Sequence, residues 1–231
     1  MTHPDVSSTT TTTTKAKATA KTSSSADAAA DTDPRIATVL KFWLGAPEPT
    51  DASALTCQPL WFTKSDALDD EIRSRFGAWV EEARAGQLDG WADRAHGRLA
   101  LVVLLDQFSR NAWRGKPESF AGDAKALALA LAALDNGHWE AVAPLARFFL
   151  ALPLEHAEDP ALQARSVALF EQLVAQATPE TQPVLAGALD YAQQHQEVIA
   201  RFGRFPHRNA ILGRESSAEE KAYLAQPGSG F

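Results

Sequence analysis

LALVVLLDQFSRN, residues 99–111, is apolar on every face for seven residues and then turns polar at once. A helix without a polar face belongs at the centre of a domain. Other helices must therefore wrap around this one, and the polar groups at its end must find partners there, because burying them unpaired is costly.

Working outward, the flanking segments read as helices. Asp33-Pro34 supplies a cap followed by a first-turn proline. Ile36, Val39, Leu40 and Trp43 then recur at i, i+3, i+4, i+7. Gly45, Pro47 and Pro49 end that helix, and a loop through Pro59 follows, with Trp61 and Phe62 docking on the core. A second helix is expected over about 65–85 and the central one over about 91–113. A fourth uses Phe120, Ala124, Leu127, Leu131 and Leu134, and a fifth spans about 138–152 before Pro153 interrupts it. Asp159-Pro160 opens a sixth helix to about residue 177, and a seventh runs over about 180–202 until Gly203 stops it. Ser217 and Glu220 have capping-box spacing for a short last helix. The expectation is all-α: about eight helices in antiparallel pairs, forming a single domain over 33–231. Residues 1–32, rich in Thr, Ser, Ala and Lys, read as a disordered tail.

Composition excludes several classes. A formal net charge of −7 argues against nucleic acid as a partner and against an acidic membrane surface. There is no apolar run long enough to span a bilayer and no secretory apolar segment at the N-terminus. Cys57 is the only cysteine, which rules out an intrachain disulfide and a multi-cysteine zinc framework, and points to a reducing, cytoplasmic setting.

Three polar clusters interrupt the apolar pattern. In DQFSRN, Asp106 and Arg110 stand four apart and can pair, with Gln107 and Asn111 on the adjacent strip. In PLEHAED, Glu155 and His156 are neighbours; on a helix they point about 100 degrees apart, so no two-ligand metal pair is expected from them. No metal or cofactor is expected. The third cluster is HQEVIARFGRFPHRNAILGR, residues 195–214, a basic knot in an acidic chain that holds His195, Arg201, Arg204, His207, Arg208, Asn209 and Arg214. Several cations so close must meet carboxylates, solvent or an anionic ligand; Asp106, Glu155 and Glu158 are the internal candidates.

Together LLDQFSRNAWRG, PLEHAED and the 195–214 stretch, with VLKFWLG and LWF earlier, resemble the bacterial domain-of-unknown-function family 924 over about residues 35–226. The resemblance implies a tetratricopeptide-like helical fold, whose stacked pairs make concave surfaces. It places Asp106, Gln107, Arg110, Asn111, Glu155, His156, His195, Arg204, His207, Arg208 and Asn209 in the family signature. Ala157 stands where the family often has Ser. It implies no activity.

Three functional readings follow. The first is a binding module that takes a small anionic ligand or acidic peptide at Arg110, Arg204 and Arg208, using the guanidinium fork. The second is an enzyme with His156 or His195 as general acid or base and Glu155 as its orienting carboxylate. The chain has no nucleophile elbow and no phosphate-cradling glycine loop to name a reaction. The third is a wholly structural polar network.

Overall fold

In a computed structural model that describes Met1, residues 33–61 and residues 63–229, the described residues form nine helices and no strand. They are α1 (Pro34–Leu44), α2 (Asp51–Cys57), α3 (Asp66–Arg84), α4 (95–112), α5 (Asp123–Asp135), α6 (Pro144–Glu155), α7 (Pro160–Ala175), α8 (Gln182–Phe202) and α9 (Ala218–Leu224). The 1–32 tail and the docking of Phe62 lie outside the described residues.

Helix α4 is the centre that its all-round apolarity requires. Leu99 to Leu105 are all fully buried, and α4 packs against α1, α3, α5 and α6. Aromatic rings pin these neighbours to it. Phe108 stacks against Phe76 of α3 at 4.8 Å and edge-on against Trp43 of α1 at 5.4 Å. Trp43 also meets Phe149 of α6 at 6.0 Å. Trp61 docks as expected, with its ring 4.8 Å from Phe149 and its Nε1–H donating to the Trp43 carbonyl at 2.9 Å.

The path differs from the sequence reading at four places. The loop before Pro59 contains α2, started by a reciprocal cap between Thr50 and Ser53; serine replaces the usual Glu or Gln of a capping box, so the signal is easily passed over. The fifth expected helix starts at Pro144 rather than His138. Pro153 does not interrupt that helix, which continues to Glu155. Proline forfeits only the bond to the carbonyl four residues back, and two residues from the helix end that loss is tolerated.

The fourth difference positions the site. Helix α4 is α-helical over Ala95–Val102, widens to a π-helix over Val103–Phe108, and returns to α over Ser109–Ala112. π segments inside α-helices are rare and concentrate at functional sites. This one carries Asp106 and Gln107, both buried. Gly122 lets the start of α5 press against it: a Cβ there would collide with the Leu105 carbonyl.

The chain after α8 folds back through a Gly203 cap in the left-handed region (φ 69°). Helix α9 is then held by Arg204, which clamps Glu220 with Nε and Nη2 at 2.7 and 2.8 Å. That guanidinium, then the Ser217 amide, pulls the Glu220 carboxyl from 4.5 down to about 2. A carboxyl depressed on folding stabilises above its unfolded pKa and ceases to do so as pH falls through the folded one. Helix α9 is therefore expected to stay docked down to about pH 4.5 and to detach as pH approaches 2. Amide shifts of Ser217–Leu224 followed by NMR report the step, and Glu220→Gln should show the detached shifts already at neutral pH.

Candidate functional site

The π segment directs Asp106 into a buried polar network at the end of α6. The Asp106 carboxylate meets His156 Nδ1 at 2.7 Å and Arg110 Nη1 at 3.0 Å, and accepts from Gln107 Nε2 at 2.6 Å. Burial alone would raise its pKa, but the Arg110 charge, with the hydrogen bonds from His156 and Gln107, outweighs burial and holds it well below the usual carboxylate range. Asp106 is thus the acceptor and Nδ1 of His156 carries the proton; in the neutral ring, which burial favours, Nε2 keeps the lone pair. The expected i, i+4 pairing of Asp106 with Arg110 is present, although the helix is locally π.

A second carboxylate neutralises the cations. Asp123, at the first turn of α5, binds Arg110 through both oxygens at 2.9 and 3.1 Å and stands 3.6 Å from Arg208 Nη1. Sequence reasoning missed it, since an acid in a first helical turn reads as an ordinary partner of the helix dipole. Arg208 is buried between the rings of Phe205 and Phe120, at 4.5 and 4.8 Å. Burial and then the nearby Arg110 charge lower its pKa to about 10. Its Nε has no hydrogen-bond acceptor among the described residues.

Behind His156 lie Glu155 and His195, both buried. His195 Nδ1 lies 2.8 Å from the Tyr191 carbonyl, which can only accept, so this ring also carries its proton on Nδ1. The same nitrogen is 3.3 Å from Glu155 Oε1. Glu155 Oε2 has no hydrogen-bond partner among the described residues. Burial, with the Asp106 charge adding to it, pushes the Glu155 carboxyl up to about 8. Burial pulls His195 down to about 3 and, aided by Arg208, His207 down to about 4. Gln163 of α7 finishes the α6 end by donating to the carbonyls of Glu155 and Ala157 at 2.5 and 2.8 Å, groups a helix terminus leaves without partners.

The network opens on one side. A cleft of about 320 Å³ is lined by His156, Arg208, Asp123, Glu158, Pro153 and Leu162, among others. The carboxylate that orients His156 is Asp106, whereas Glu155 sits beside His195. Glu155, His156 and His195 each offer one donor atom that lies within 4.8 Å of the other two.

The remaining predicted residues sit elsewhere. Asn111 donates to Asp69, which Arg114 also binds, in a separate pair between α3 and α4. Arg204 is engaged by Glu220, and Asn209 joins Arg214 to Ser216. Glu158 grips Arg214 at 2.7 Å and the Phe205 amide at 2.8 Å, tying the 205–214 turn to the end of α6. The basic knot thus divides: Arg208 faces the cleft, while Arg204 and Arg214 staple the turn.

Comparison with known proteins places the molecule. It is similar to a solved structure of a protein of unknown function, ATU0120, from Agrobacterium tumefaciens. The two are 37% identical with a TM-score of 0.70, over 84% of this chain and 99% of that one. No curated protein matches the chain. The family model described as bacterial protein of unknown function (DUF924) matches residues 39–228, and the chain belongs to that family.

Proposed function

We propose that the protein is a binding module whose cleft takes a small anionic ligand, a carboxylate or phosphate group seated on Arg208 beside His156. One observation carries this reading: Arg208, a cleft-lining guanidinium stacked between two rings, keeps a buried Nε without an acceptor. A donor left so is costly, and an anion is its natural partner. Arg110 supports the site from behind through Asp123, and Arg204 drops out of it. Short connections between α6, α7 and α8, each packed on the next, support a tetratricopeptide-like reading of the helical pairs. The lone buried Cys57 supports a cytoplasmic setting.

A thermal-shift series with inorganic phosphate and succinate tests the reading. At least one should raise the melting temperature of the wild type and of Arg204→Gln but not of Arg208→Gln. Equal shifts in the two variants, or none in the wild type, would reject it. The enzyme alternative is favoured by one contact, the 2.7 Å Asp106–His156 pair with His156 on the cleft wall. That arrangement fits a neutral imidazole acting as general base at Nε2.

A further inference from the structure

Glu155, His156 and His195 come together from the end of α6 and the middle of α8, each with one donor atom within 4.8 Å of the other two. All three are largely or fully enclosed, and Glu155 Oε2 is buried without a hydrogen-bond partner among the described residues. A carboxylate oxygen in that condition is not explained by fold stability, because burying an unsatisfied polar atom is costly.

The imidazoles are arranged as metal ligands are. A ligating histidine usually gives its other ring N–H to a carboxylate or backbone carbonyl, which fixes the tautomer and aims the lone pair. His156 does this with Asp106 at 2.7 Å, and His195 does it with the Tyr191 carbonyl at 2.8 Å. Two imidazoles and one carboxylate are a known catalytic-type set for zinc and related ions, with a position left open. We propose that Glu155, His156 and His195 bind one divalent transition-metal ion at the base of the cleft, with Asp106 as the positioning carboxylate behind His156.

Geometry is compatible with this. Tetrahedral donors around zinc stand about 3.3 Å apart, from metal–ligand lengths of about 2.0–2.1 Å. Reaching that spacing from donors within 4.8 Å of one another takes a rotation of the Glu155 carboxylate together with a small approach of the two imidazoles. The site shares His156 with the anion reading but takes no ligand from Arg208.

The test is a Co2+ titration of the full chain after chelator treatment, followed by visible absorption. We expect one equivalent of Co2+ per chain with the ligand-field bands of low coordination. Glu155→Gln and His195→Gln should lose them, and Asp106→Asn should weaken binding by about 10–100-fold. His138→Gln, a histidine outside the cluster, should leave them unchanged. Circular dichroism confirms that each variant is helical. Should a ligand variant fail to fold, proton NMR of the Co2+-loaded wild type decides instead. Two paramagnetically shifted, exchangeable imidazole N–H signals support the site. No stoichiometric Co2+ binding, fewer than two such signals, or binding unaffected by the ligand variants would overturn it.

Discussion

Asp106→Ala is expected to lower the unfolding free energy by about 3–5 kcal/mol, the usual cost of deleting one partner from a buried ionic network. The reason is the number of groups that depend on one carboxylate. His156 Nδ1–H, Arg110 Nη1 and Gln107 Nε2 all meet it, and it is almost wholly inaccessible to water. Alanine leaves the His156 proton and the Gln107 amide without that acceptor, while Arg110 keeps Asp123. Urea unfolding followed by far-ultraviolet circular dichroism reads the change. Asp106→Asn retains an acceptor oxygen and the volume, so its loss should be smaller. A loss below about 1 kcal/mol for the alanine variant, the range of an exposed ion pair, would mean that the network does not depend on Asp106.

Phe108→Ala should cost a similar amount, about 3–5 kcal/mol, for a different reason. The ring is fully buried at the end of the π segment and touches Phe42, Trp43 and Phe76, from α1 and α3. Removing it opens a cavity among rings that are themselves too large to collapse into it. Because Phe108 and Asp106 lie on one short segment, the double variant should not show additive losses. A small effect from Phe108→Ala would show that the surrounding rings repack, and that the π segment is not wedged in place by them.

Much of this fold is legible from periodicity. The stripe Ile36, Val39, Leu40 and Trp43 gives α1, and the all-round apolarity of residues 99–105 gives the central helix, because burial pattern and helix geometry share one repeat. The same uniformity hides the π segment: when Val103 to Phe108 are all buried, no polar face records which register the backbone follows. The candidate site divides along the same line. Asp106 with Arg110 is visible as a four-residue spacing. Asp106 with His156 spans fifty residues and exists only through the packing of α4 on α6. Asp123 was invisible as a site residue because nothing local separates a helix-start acid from one that holds two arginines. Arg204, conversely, looked like part of the site because it lies close in sequence to Arg208, whereas the Gly203 turn sends it to Glu220.

The account turns on where the imidazole protons sit. Protein carrying isotope-labelled histidine, observed by NMR through its ring nitrogens at neutral pH, reads this directly. Because burial disfavours the imidazolium and Asp106 and the Tyr191 carbonyl accept from Nδ1, both His156 and His195 should be neutral, with the proton on Nδ1 and the lone pair on Nε2. A His156 ring protonated on Nε2 alone would contradict the account, since that ring could neither be oriented by Asp106 nor present a lone pair to a ligand.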